Sequence, residues 1–200
     1  MSDSNGYEES AGAFIKIRSY GNIIGVSEVA SWGKTLAPKS EVVDIGCGSG
    51  NPISKALVDQ GLVVFGIDAS PTLVRHFKTN FPDCEIRCES ILESNFYSRD
   101  FDGIVAWGLL FLLPANEQEM LISKISRHLK MGGKFLFTAP WQKVQWKDLL
   151  TGRSNESLGA PAYRHILQRN RLTVLAEFDD DSGNHYYSCE KTADIIHPNR

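Results

Sequence analysis

The 200-residue sequence is defined first by what it lacks. No apolar run reaches the ~18 residues that suggest a membrane span. The greasiest stretch, residues 101–114, is interrupted by Asp102, Gly103 and Gly108, so a buried strand and its exit loop are expected there. Positive charge is not in excess: 21 Lys and Arg stand against 24 Asp and Glu, a net charge of -3. Without a global basic field to hold a polyanion, DNA is not an expected partner. None of the four cysteines, Cys47, Cys84, Cys88 and Cys189, forms a Cys-x-x-Cys pair. Cys84 and Cys88 have no matching second pair, so no metal is expected and all four read as reduced thiols. Met1 is followed by Ser2, Asp3, Ser4 and Asn5, which is neither a signal nor a transit peptide, so a cytoplasmic protein is expected. Repeats, low-complexity tracts and internal linkers are also missing. The expected organisation is a flexible polar N-terminus over 1–10, one domain over 11–192 and a tail over 193–200.

What is present is an alternation. Residues 11–37 suggest one or two helices, broken near Gly21 and Gly25. From residue 41 strands and helices take turns. Strands are expected at 41–45, 62–67, 85–88, 102–107 and 134–139. The helices between them are 52–60, one opened by Ser70-Pro71, and 116–130 with Gly132-Gly133 as its terminator. After a loop over 140–159 come a helix at 161–169 and strands at 172–178 and 184–190. The turn from Asp179 to Gly183 makes these two strands a hairpin. The expectation is a doubly wound α/β fold: a mostly parallel sheet, helices on both faces, and a C-terminal antiparallel hairpin.

The sharpest chemical signal is Val42-Val43-Asp44-Ile45-Gly46-Cys47-Gly48-Ser49-Gly50-Asn51, a hydrophobic strand running through glycines into a helix start. Glycines let a ligand touch bare backbone, and a helix start offers unpaired N–H groups. Taken alone such a loop is a weak signal, a tight strand-to-helix turn without ligand being the alternative reading. The spacing is not the dinucleotide Gly-x-Gly-x-x-Gly, because Asn51 stands where the third glycine belongs. No Lys-Ser or Lys-Thr follows at phosphate-loop spacing. Asp68 closes the next strand, where an acid can accept hydrogen bonds from both ribose hydroxyls of an adenosine. Otherwise it is a helix N-terminal charge beside Ser70-Pro71.

These residues resemble motif I of class I S-adenosylmethionine-dependent methyltransferases. Gly66-Ile67-Asp68-Ala69-Ser70 is similar to the acidic motif that follows it, Phe101 to Trp107 to the fourth-strand motif, and Leu129-Lys130-Met131-Gly132-Gly133-Lys134-Phe135 to the entry of strand five. The resemblance covers roughly residues 14–190. It implies a seven-stranded sheet with the seventh strand antiparallel between the fifth and sixth. It also implies S-adenosylmethionine as cofactor, with S-adenosylhomocysteine as product. On that basis the backbone around Gly46, Cys47, Gly48 and Gly50 would face the methionyl part and Asp44 would support the loop. Asp68 and Ala69 would hold the ribose, Glu89, Ser90 and Ile91 the adenine, and Ala106 and Trp107 would close over the sulfonium. The family usually has Asp where Glu89 stands. Tyr20 would reach the cofactor carboxylate or cover the acceptor, or else pack in the core.

Methyl transfer needs alignment and exclusion of water more than conspicuous catalytic groups. Ala106-Trp107-Gly108-Leu109-Leu110-Phe111 lacks the Pro-Pro-aromatic run of amino-DNA methyltransferases and the acid cluster of metal-dependent catechol-type ones. The apolar exit loop suggests a small-molecule pocket or a simply buried segment. Residues 140–159, with Trp141 and Trp146, are the candidate lid over the acceptor; two packed tryptophans in a capping loop is the alternative. Tyr186 is a further candidate acceptor contact. His185 is the one histidine in a polar, aromatic setting and is the candidate base, a structural role being the plainer reading. Arg18 and Arg153 are candidates for an acidic acceptor, or solvated surface residues. A protein or RNA methyltransferase, a non-catalytic S-adenosylmethionine-binding module and an NAD-type oxidoreductase remain as alternatives. Asn51 and the hairpin argue against the last. Either a monomer or a homodimer fits.

Overall fold

The computed structural model describes residues 4–19 and 23–193. A seven-stranded sheet forms the middle layer, with strand order β3-β2-β1-β4-β5-β9-β8. Its strands are β1 (Glu41–Ile45), β2 (Val63–Asp68), β3 (Glu85–Cys88), β4 (Phe101–Ala106), β5 (Leu129–Thr138), β8 (Leu172–Asp179) and β9 (His185–Lys191). β1 to β5 run parallel, while β9 lies antiparallel between β5 and β8. This is the expected doubly wound, mostly parallel sheet with its C-terminal hairpin.

The central strands are buried along nearly their whole length, as strands covered on both faces must be. Helices α2 (Val26–Gly33) and α3 (Ile53–Asp59) cover one face through Val29, Trp32, Ile53, Ala56 and Leu57. Helices α5 (Ala115–Arg127) and α6 (Ala160–Arg169) cover the other through Leu121, Ile122, Ile125, Tyr163 and Leu167. Helix α4 (Pro71–Asn80) starts as its sequence demands: the Ser70 hydroxyl accepts the Leu73 N–H at 3.2 Å and Pro71 takes the first turn. Helix α1 (Ala11–Ser19) lies beyond the cleft end of the sheet, against α4.

Three local expectations are corrected. Helix α5 ends at Arg127, before the glycine pair, and β5 begins at Leu129, which pairs with Phe101. Pairing then resumes at Gly103↔Lys134, so Gly132 and Gly133 sit in a bulge inside β5 instead of terminating a helix. Residues 140–159 hold a second, two-stranded antiparallel sheet, β6 (Lys143–Lys147) and β7 (Ser154–Leu158). It is fixed to the core by Gln118, whose amide donates to the Leu113 and Glu156 carbonyls at 2.8 and 2.9 Å and whose oxygen accepts from the Tyr163 hydroxyl at 2.7 Å. The N-terminus, expected to be flexible over 1–10, is packed from Ser4 onward, as the site explains.

Candidate active site

Strand order reverses between β1 and β4, so a crevice opens beyond the carboxyl ends of the strands at that point. Four strands deliver their exit residues to it: the glycine loop after β1, Asp68 after β2, Glu89 after β3 and Trp107 after β4. Together they line a cavity of about 490 Å³. The loop needs its glycines there. Gly46 and Gly48 have φ of +68° and +57°, and a Cβ on Gly48 would lie 2.8 Å from the Phe14 ring.

Asp68 organises this end. Its carboxylate accepts the Gly48 and Ser70 N–H groups, each at 2.8 Å, which ties the glycine loop to the start of α4. Each oxygen keeps lone-pair capacity toward the cavity. Burial pushes its pKa up, against the pull of these hydrogen bonds. Asp44 lies behind the loop, fully buried, and accepts from the Ser54 hydroxyl at 2.5 Å. Burial lifts its pKa to about 7. Glu89 has a buried oxygen, Oε1, with no hydrogen-bond partner among the described residues and Arg87 4.0 Å away.

The rest of the wall comes from two segments. Residues 4–10 run across the cavity as a strap. The Glu8 carboxylate accepts from the Thr72 N–H at 3.1 Å, from the Thr72 hydroxyl at 2.8 Å and from the Ser70 hydroxyl, so it caps α4 from outside. These bonds hold its pKa below the usual carboxylate range. The Tyr7 hydroxyl donates to Asp148 at 3.2 Å, the Ser10 hydroxyl to the Leu150 carbonyl at 3.2 Å and the Asn5 amide to the Leu112 carbonyl at 3.1 Å. The strap therefore meets the tip of the β6–β7 hairpin, where Trp146, Asp148, Leu149 and Leu150 line the cavity beside Phe111 and Leu113. Burial works against ionisation of Asp148, but the N–H groups of Thr151 and Leu150 keep its pKa low; burial and Asp148 push the Tyr7 phenol up.

The structure sorts the expected site residues as follows. Gly46, Gly48, Asp68, Ala69, Glu89, Ser90, Ile91, Trp107 and Trp146 line the cavity. Asp44, Cys47, Gly50 and Ala106 stand behind its wall; a Cβ on Gly50 would meet the Phe81 ring at 2.4 Å. Tyr186 does not line it either. Its ring is buried below Trp107, its hydroxyl accepting the indole N–H at 2.8 Å and donating to Asp180 at 3.0 Å. Tyr20 lies outside the described residues. Trp141 and His185 belong to a separate depression beside Arg164 and Glu177. Alternation along β9 is the cause: Tyr186 joins the α2–α3 face, so His185 and Tyr187 turn to the α6 face. There His185 Nδ1 lies 2.7 Å from Asp179 and Nε2 3.5 Å from Glu177. No histidine lines the cavity among the described residues, which removes His185 as a base for it. Arg18, a candidate for an acidic acceptor, lines the cavity, while Tyr7, Phe14 and Asp148 were missed as site residues. The one legible trace was Phe14 and Arg18, four apart and so on one helix face.

The comparisons agree with this geometry. Residues 42–133, from β1 into β5, match a family model described as a methyltransferase domain. No curated protein sequence matches the chain. Among solved structures, the chain resembles the Burkholderia thailandensis 1,6-didemethyltoxoflavin-N1-methyltransferase with a TM-score of 0.73 at 15% identity, over 96% of this chain and 92% of that one. It resembles a TehB-like S-adenosylmethionine-dependent methyltransferase from Corynebacterium glutamicum with a TM-score of 0.70 at 21% identity, over 92% and 97%. It resembles the magnesium protoporphyrin IX methyltransferase of Synechocystis with a TM-score of 0.70 at 16% identity, over 88% and 86%. At such identities the likeness speaks to the fold. Together with the methyltransferase-domain match over residues 42–133, it gives the chain the fold of S-adenosylmethionine-dependent methyltransferases. Several such neighbours were solved with S-adenosylmethionine or S-adenosylhomocysteine bound. The pocket suits such a ligand on two counts: Glu89 Oε1 has no hydrogen-bond partner among the described residues and can accept from a donor, and Gly46 and Gly48 line the cavity with backbone. Among the described residues no cluster of three or more His, Cys, Asp or Glu is placed to hold a metal, and no helix is long and apolar enough to cross a membrane.

Proposed function

We propose that this protein, folded as one domain over residues 11–192, methylates a small-molecule acceptor in the closed end of the cavity. One observation carries the reading. The strap and the hairpin tip meet over the site, joined by Tyr7–Asp148 and Ser10–Leu150, and leave an apolar wall of Phe111, Leu113 and Trp146 in the cavity that Trp107 also lines, with Leu149 exposed at its rim. A cavity of that kind takes a compact, partly apolar ligand. A folded protein or a structured RNA would have to displace both segments first.

In this reading Asp68 accepts from the ribose hydroxyls and Glu89 Oε1 from the adenine amine, while Asp44 holds the loop from behind through Ser54. Bound there, the cofactor would supply an electrophilic methyl: the acceptor's lone pair would bond to that carbon as its bond to the cationic sulfur breaks, with neutral S-adenosylhomocysteine as the leaving group. The chain's own contribution is placement and dryness. Thr138 accepts the Gly108 N–H at 2.8 Å and sets the β4 exit loop, and Trp107 walls the reacting end. Asp148 is held ionised but weakly basic, which suits an acceptor that arrives with a lone pair available.

The test is transfer of radiolabelled methyl from S-adenosylmethionine into a cell extract split by size into metabolite, protein and RNA fractions. Label in the metabolite fraction supports the reading. Label in protein or RNA overturns it in favour of a macromolecular acceptor. S-adenosylhomocysteine binding with no label in any fraction leaves a non-catalytic binding module.

A further inference from the structure

Arg18 brings a charge into this pocket that the described residues do not neutralise. Its guanidinium centre lies 4.3 Å from the Trp107 ring centroid and 5.5 Å from that of Phe14, one helical turn back on α1. It forms no ion pair or hydrogen bond among the described residues. Burial lowers its pKa, with the Tyr7 and Tyr186 phenols opposing. An aromatic face can hold a guanidinium by its own face, which leaves the five N–H donors at the rim, where a carboxylate is bound bidentately. The platform is itself fixed: Trp107 donates to Tyr186, Tyr186 donates to Asp180, and Asp180 is held by the Asn184 amide at 2.8 Å. Stacking on the two rings offsets part of the guanidinium's desolvation, and an anion at its N–H groups would offset the rest.

We propose that Arg18 receives a carboxylate of a bound ligand, with Trp107 positioning the guanidinium for it. The proposal rests on the methyltransferase reading, since the carboxylate belongs either to the amino-acid end of the cofactor or to the acceptor. Arg18 and Trp107 line the cavity in which that reading places both.

Calorimetry on the full chain and on Arg18→Gln and Arg18→Lys separates the sources. The probes are S-adenosylhomocysteine, 5′-methylthioadenosine, which lacks the amino-acid end, and benzoate titrated into protein saturated with S-adenosylhomocysteine. If the cofactor supplies the carboxylate, Arg18→Gln weakens S-adenosylhomocysteine about 10- to 100-fold, leaves 5′-methylthioadenosine unchanged, and Arg18→Lys recovers part of the loss. If the acceptor supplies it, S-adenosylhomocysteine binds Arg18→Gln as it binds the parent, and the parent's benzoate binding is lost. Equal weakening of both nucleosides overturns the proposal, and so does an Arg18→Gln protein that binds every probe as the parent does. A parent protein that binds neither nucleoside defeats the cofactor reading and this proposal with it. Melting temperatures of the unliganded variants separate lost recognition from lost folding.

Discussion

Two carboxylates a loop apart, one half-buried and one sealed, do different work. Asp68 faces the cavity and is committed to two backbone N–H groups. Asp68→Asn keeps one acceptor oxygen and Asp68→Ala keeps none. The expected loss of S-adenosylhomocysteine affinity is roughly tenfold for Asn and up to about 100-fold for Ala, read by calorimetry. Unchanged affinity in both would remove Asp68 from the ribose. Asp44 is sealed behind the loop, and its pKa stands at about 7 against an ordinary 3.8. A folded state that binds the proton more tightly than the unfolded chain is favoured at low pH. Its advantage is complete below the unfolded value and is lost as pH rises through about 7. Asp44→Asn should therefore melt higher than the parent at pH 8, on the order of 5 °C, with the gap closing near pH 4. An offset that does not change with pH would mean Asp44 does not titrate within the fold.

At the scale of elements, the strap and the hairpin are the parts with most to lose. The main-sheet strands were legible because they announce themselves: 41–45 and 85–88 have the expected bounds, and the others shift by a residue or two, β5 excepted. Glycine chemistry marked the loop after β1, and the residue pattern placed Asp68 and Trp107 at strand exits. The β6–β7 hairpin was not read. Val144 and Trp146 do alternate with Lys143, Gln145 and Lys147, but the partner Ser-Asn-Glu-Ser-Leu has weak strand propensity and buries Asn155 and Ser157 instead of apolar residues. The strap was invisible for a related reason: it binds through Glu8, Tyr7, Asn5 and Ser10, polar residues that look like solvated chain until their partners, up to 141 positions away, are known. A double-mutant cycle with Tyr7→Phe and Asp148→Asn tests whether strap and hairpin act as one gate. Each single change should speed S-adenosylhomocysteine dissociation several-fold, and the double change should add little more, because Tyr7→Phe removes the donor and Asp148→Asn the charge of the acceptor in the same 3.2 Å bond. Stopped-flow rates whose effects multiply would show two independent walls.

At the scale of the whole molecule, stability and function are housed separately. The two aliphatic and aromatic layers on the sheet bury strand and helix residues that mostly stand clear of the cavity, Ile67 and Ile91 being the buried core residues that also line it, while the cavity is closed by segments held largely by side-chain hydrogen bonds. The layers are expected to open only with global unfolding, the strap and hairpin tip at much lower cost. A ligand that binds the folded state alone stabilises it by mass action, by about 2.7 kcal/mol at a concentration of 100 Kd, or roughly 5–10 °C in Tm at this chain length. Native-state hydrogen exchange then tells where that stabilisation is spent. With S-adenosylhomocysteine bound, added protection should concentrate at residues 4–19, 46–50 and 146–150 and leave β4 and β5 almost unchanged, since they already exchange at the global limit. Protection spread evenly over the sheet would mean that the cofactor and the core unfold as one unit, and that the strap and hairpin are fixed walls of the site rather than its gate.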